Sequence, residues 1–234
     1  MTESPEAVLA AQRLGEPLSG EPGSAALVLA DFRAPRRVLT SDLIHRGAIW
    51  DVRTETVDLG EAGVVRREVL RHPGAVAVLA LDDQDRVLLI RQYRHPTGME
   101  LWEPPAGLLD VVGEPPVLAA QRELAEEADL TADRWDLLID WFNTPGGSDE
   151  VVRLFVARDV HPVPDHELHQ RTGEELGMPL LWVPLEAARD AVLAGRIHNA
   201  AAVIGILAAC TARDLSWSTL RPADSPWPEH PAFR

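Results

Sequence analysis

The chain has 234 residues, 46% hydrophobic and 25% charged, enough for one sizeable domain or one domain with a small accessory layer. Its 37 Asp and Glu outweigh 22 Lys and Arg, for a formal net charge of −15, which excludes a broad nucleic-acid-binding face because phosphate affinity needs clustered cations. The single cysteine, Cys210, excludes an internal disulfide and no apolar run reaches the ~18 residues of a membrane span.

Residues 1–40 are rich in Glu, Pro, Gly, Ala and Arg, begin MTESPEAVLA without a signal-peptide pattern, and read as a mobile or loosely docked arm of a cytoplasmic protein. Residues 41–72 form a β region. Ser41–Val57 and Val64–Leu70 alternate as strands about a turn at Gly60–Gly63. The main domain, residues 73–212, opens with a predicted hairpin, Ala75–Leu81 and Arg86–Tyr93 joined by Asp82-Asp83-Gln84-Asp85. Glu103-Pro104-Pro105-Ala106-Gly107 must be a rigid turn, because two prolines exclude a helix or a central strand. Pro115 and Pro116 suit the first turn of a helix running to about Ala128. Trp135–Phe142 and Val151–Asp159 read as strands around the Thr144–Ser148 loop, and 160–180 as a polar loop. A short strand at Leu180–Val183 leads to helices over about 185–194 and 199–212, and an extended, proline-rich tail covers 213–234. Mixed strands with few helices indicate an α/β or α+β sandwich rather than a βαβ series.

The informative stretch is the helix ending in Arg122-Glu123-Leu124-Ala125-Glu126-Glu127. At about 100° per residue, Glu126 and Glu127 fall at about 300° and 40° from Glu123, so three carboxylates share one face. Leu118, Gln121, Leu124, Ala125 and Ala128 then cover the core side, while Ala119 and Ala120 flank the acids and leave room for a ligand. Without a cation the arrangement is unfavourable. Glu123 and Glu127 repel at i,i+4, and the acids lie where the helix dipole prefers positive charge, at roughly 0.3–1 kcal/mol each. A hard divalent cation reverses both signs; a solvated face paired with Arg122 is the plain alternative.

Gly107, Glu114 and Arg122-Glu123-Leu124-Ala125-Glu126-Glu127 resemble the signature box of the Nudix hydrolases. Two departures stand out: six residues rather than five separate Gly107 from Glu114, and Asp129 occupies the final glycine position. His72–Val76, Arg91-Gln92-Tyr93-Arg94, Glu103–Gly107 and Pro145, which stands 15 residues after Leu130, are similar to the ADP-ribose pyrophosphatase branch. The resemblance implies an α+β fold, a Nudix-type α/β/α sandwich of mixed sheet and helices with an N-terminal antiparallel β extension, and a homodimer formed by exchanging that extension. It implies Mg²⁺, with Mn²⁺ as a substitute, held by Glu123, Glu126, Glu127 and the Ala106 carbonyl. It implies a catalytic base on a later loop, Glu175 or its neighbour Glu174.

Arg67, Arg91 and Arg94 can supply positive charge to a phosphate or terminal ribose, or serve as surface ion pairs. Glu103 and Pro145 belong to the same expected substrate region. Trp50 and Trp102 are either adenine platforms or packing residues. The activity implied is hydrolysis of ADP-ribose to AMP and ribose 5-phosphate. The alternatives are a hydrolase of another nucleotide sugar or dinucleoside polyphosphate, or a non-catalytic ADP-ribose sensor.

Overall fold

The computed structural model describes residues 30–171 and 177–233. The chain divides into Met1–Arg36 and Arg37–Arg234. In the first unit, residues 30–36 are exposed and without regular structure. In the second, a five-stranded sheet runs in the order β11 (Arg221–Pro222), β8 (Leu130–Phe142), β9 (Val151–Pro162), β4 (Ala75–Ala80), β7 (Ala106–Leu108). Only β4 and β9 pair in parallel there. Two three-stranded antiparallel sheets accompany it: β1 (Arg37–Arg46), β2 (Asp51–Asp58) and β3 (Val64–Arg71) in that order, and β10 (Leu180–Pro184), β5 (Arg86–Arg94) and β6 (Met99–Glu103). No helix among the described residues is long and apolar enough to cross a membrane.

The main sheet is covered on both faces, which explains why β4 reads as a continuous apolar run. Val76, Val78 and Ala80 join Leu137, Phe155 and Ala157 against helix α1 (Pro116–Ala128). The alternate residues Ala77, Leu79 and Leu81 join Val152, Leu154 and Val156 against helices α2 (Leu185–Leu193) and α3 (Ala200–Asp214). This is the expected α/β/α sandwich with its N-terminal antiparallel extension. Asn199 caps α3 by accepting the Ala202 N–H at 2.9 Å.

Three local expectations are corrected. The stretch 41–57 is two strands: β1 starts at Arg37, and the chain reverses through Gly47–Trp50, where the Gly47 N–H donates to the Trp50 carbonyl. The predicted hairpin partners do not pair as a ladder. Asp82 binds the N–H groups of Gln84 and Arg86 and makes the turn, but only an isolated bridge joins Leu81 to Val87. The edges of β4 are taken by β9 and β7, so β5 turns away into the other sheet. Pro104 and Pro105 link two short strands in different sheets, and the Pro105 carbonyl accepts from Val78 at 2.8 Å.

Candidate active site

Helix α1 lies over β7, and the contact is made by acids. Pro115 and Pro116 open the helix in the expected way, and Asp129 closes it in the left-handed conformation at φ 54°. Asp tolerates that conformation better than most residues, which accounts for its standing where the resembled pattern has glycine. The face turned to the sheet carries Ala119, Ala120, Leu124 and Ala128, all buried, and Glu127, 8% exposed. Leu118, assigned to the core side, is 48% exposed, and Ala119 and Ala120 are core residues rather than a ligand's margin. Glu127 therefore shares the buried face instead of opposing it, with Glu123 and Glu126 half-buried beside it.

Glu127 accepts the Ala106 N–H at 2.8 Å, tying the end of α1 to the first residue of β7. Glu123 comes down on Gly107 so closely that a Cβ added there would coincide with its carboxyl group. Burial pushes the Glu123 carboxyl up from its ordinary range; Arg122 opposes this, while Glu126 and Asp110 add to it. The Arg122 guanidinium reaches Glu123 at 2.6 Å and Glu126 at 3.2 Å through Nη1, and Glu114 at 3.2 Å through Nη2. Glu114 and, after it, Glu123 raise its pKa. The Arg122 pairing named as the alternative to a metal site is present, with the buried Glu127 beside it.

Among the described residues, no three His, Cys, Asp or Glu side chains converge at metal-ligand geometry. The donor chemistry nevertheless suits a divalent ion. The carboxylate oxygens of Glu123 and Glu127 crowd a strand whose glycine leaves them space, and hard cations take such oxygens.

Arg171, absent from the sequence-level candidates, completes the helix end. Its Nε donates to the Glu126 carbonyl at 2.9 Å, and Nη2 lies 2.6 Å from the Asp129 carboxylate. A cation at this terminus offsets the misplaced acids. Nothing local in the sequence marks it, because it stands outside the helix. Glu174 and Glu175 lie outside the described residues.

The remaining candidates fall into two groups. Arg67 and Pro145 share one place: with Glu68, Ser148 and Asp149 they line a groove of about 260 Å³ between β3 and the 144–149 loop. That loop is stitched to β3 by Leu70 N–H to the Gly147 carbonyl and by Arg71 to Asp149 at 2.8 Å. Arg91 and Arg94 sit on β5 with partners from β6. The Arg91 guanidinium lies 5.5 Å from the Trp102 ring centre, and Arg94 makes a fork of 2.9 and 2.7 Å with Glu103, which is 2% exposed. Glu103 and Arg94 thus hold each other. Trp50 is half-exposed, 6.2 Å from the His72 ring. A separate cavity of about 440 Å³, beside Asp82, Asp85, Arg158 and Trp217, contains none of the predicted residues.

Comparison with known proteins gives a consistent picture. Residues 70–203 match the NUDIX domain. The chain is 43% identical over 193 residues to the ADP-ribose pyrophosphatase of Mycobacterium tuberculosis, covering 82% of this chain and 91% of that protein. It is 32% identical over 164 residues to the ADP-ribose pyrophosphatase of Bacillus subtilis, covering 70% and 86%. A crystal structure of an ADP compounds hydrolase shares the fold, with a TM-score of 0.65 over 80% of this chain and 98% of that one, at 22% identity.

Proposed function

The chain belongs to the NUDIX domain family, and from that premise we propose that it hydrolyses the diphosphate of ADP-ribose to AMP and ribose 5-phosphate, using Mg²⁺ with Mn²⁺ as a substitute. The observation that carries this reading is the carboxylate face of α1 laid on β7, with Glu127 buried and Glu123 against Gly107. The ADP-ribose pyrophosphatases among its relatives support the substrate.

Glu123, Glu126, Glu127 and the Ala106 carbonyl would hold the ion. When bound, it neutralises charge on the diphosphate and lowers the pKa of a coordinated water. The protein's own groups do the rest. The Ala106 N–H fixes the Glu127 carboxylate, and Arg122 restrains Glu123 and Glu126. Arg67 offers a planar donor fork in the groove beside Pro145. Glu175, with Glu174 as the second candidate, takes the proton from the attacking water. Oxygen attacks phosphorus, the P–O–P bond breaks, and the departing phosphate takes the bridging oxygen.

Two copies would assemble through the N-terminal extension. Every residue of β1 is exposed, and Val38, Leu43, Ile44 and Val64 on this sheet, with Ile49 in the β1–β2 turn, put apolar area in water, the kind of surface that marks an interface.

A panel of ADP-ribose, other nucleotide sugars and dinucleoside polyphosphates, assayed for mononucleotide release with Mg²⁺, tests the reading. Preference for ADP-ribose is expected; cleavage of another member with ADP-ribose untouched overturns the substrate, and no turnover at all favours a sensor. Glu175→Gln should bind ADP-ribose and lose most of kcat. Unchanged kcat would transfer the role to Glu174 or to Glu150.

A further inference from the structure

The C-terminal segment packs into the fold rather than trailing from it. Trp227 is 2% exposed, and the guanidinium of the equally buried Arg153 lies 4.4 Å from its ring centre. Arg153 donates to the Ser225 carbonyl at 2.7 Å and the Pro226 carbonyl at 3.2 Å while gripping Asp140 through Nε and Nη2. Phe233 stacks on Trp227 at 5.9 Å. Against this cluster sits His230, 4% exposed, with Nε2 2.8 Å from the Pro73 carbonyl and Nδ1 accepting the Ala232 N–H at 3.1 Å. A carbonyl only accepts, so the proton is on Nε2, and both contacts suit the neutral ring. Gly74, at φ 86°, lets the ring come this close; a Cβ there would strike His230 Nε2.

The turn that His230 touches is a junction between the two halves of the site. On one side the Gly74 carbonyl accepts the Leu109 N–H at 3.1 Å, and Ala75 pairs with Leu108, next to the Gly107 that faces Glu123. On the other side the Gly74 N–H donates to His72 Nδ1 at 3.0 Å, and the His72 N–H donates to Asp149 at 2.9 Å. Asp149 lines the groove that holds Arg67 and Pro145.

We propose that His230 is a positioning residue: its bond to the Pro73 carbonyl sets the His72–Gly74 turn, and through it the spacing between the carboxylate face and the Arg67–Pro145 groove. The proposal rests on the ADP-ribose reading above. A substrate that spans both places senses that spacing, and small displacements of binding groups carry large kinetic effects.

The test uses two full-length variants. His230→Gln keeps an N–H donor at the reach of Nε2, whereas His230→Asn is too short to meet the Pro73 carbonyl. His230→Asn should raise KM for ADP-ribose roughly tenfold, with His230→Gln within about twofold of the unaltered chain. Hydrogen exchange at the Leu109 and His72 amides should quicken in His230→Asn and not in His230→Gln, with the Ala202 amide on α3 unchanged in both. A merely structural role would lower the melting temperature while leaving KM where it was. Unchanged KM in His230→Asn, or unchanged protection at Leu109 and His72, overturns the proposal. If the unaltered chain does not cleave ADP-ribose, the substrate reading fails and hydrogen exchange alone decides the positioning role.

Discussion

Replacing Gly107 by Ala separates the fold from the site. The new methyl would land on the Glu123 carboxyl carbon and Oε1. These atoms are the free end of a flexible side chain, so the backbone of β7 can stay and the carboxylate swings away. The stability cost then lies at the low end for an overpacked position, about 1 kcal/mol, or about 2–4 °C in melting temperature for a domain of this size. The activity cost is larger, because the group that moves is a proposed metal ligand; kcat/KM for ADP-ribose should fall roughly 100-fold, equivalent to about 2.7 kcal/mol of barrier. Gly113→Ala is the control. Gly113 has φ 83° and nothing within 4 Å of an added Cβ, so it takes a left-handed penalty of about 1 kcal/mol or more without touching a carboxylate. Thermal melts and AMP-release kinetics at saturating Mg²⁺ read both effects. Near-normal kcat/KM for Gly107→Ala, or an equal loss in Gly113→Ala, would refute the reasoning.

Three further outcomes follow from the same structure. Ile44→Glu on the exposed strand β1 should convert a dimer to a monomer by light scattering, with little change in melting temperature because Ile44 is 55% exposed; a persisting dimer would place the interface elsewhere. Burial holds the His72 imidazole below its ordinary value of 6.5 against the opposing pull of Glu150 and Asp149. The unfolded chain therefore binds that proton more readily, and the associated stability, complete above pH 6.5, drains as pH falls below it. His72→Gln should flatten that part of the melting curve against pH, and an unaltered slope would exclude His72 as its source. Asp129→Gly relieves the left-handed backbone but loses the Arg171 ion pair, so it should be near neutral, whereas Asp129→Ala keeps the strain and should cost about 1 kcal/mol by urea denaturation. Equal melts for the two would show that conformation at the helix end does not matter.

Local signals carried much of this protein. The paired prolines opening α1 and the Asp-Asp-Gln-Asp turn appear where their backbone chemistry requires them. The helix-face argument erred in direction, because it set the core opposite the acids; Ala119, Ala120 and Glu127 are instead buried together on one side. Periodicity could not tell which edge of β4 takes which neighbour, so an adjacent-strand turn read as a paired hairpin. Arg171 and His230 were invisible for a simpler reason. Each acts on a backbone carbonyl far away in sequence, Glu126 and Pro73, and a carbonyl leaves no mark in a residue pattern.

The most direct test of the central claim is turnover of ADP-ribose by the full chain in ¹⁸O-labelled water with Mg²⁺, with the products weighed by mass spectrometry. Hydrolysis at the diphosphate predicts AMP and ribose 5-phosphate, one of the two carrying a single labelled oxygen, and no products once the metal is chelated. Intact ADP-ribose, or unlabelled cyclic phosphate in place of these products, would contradict it.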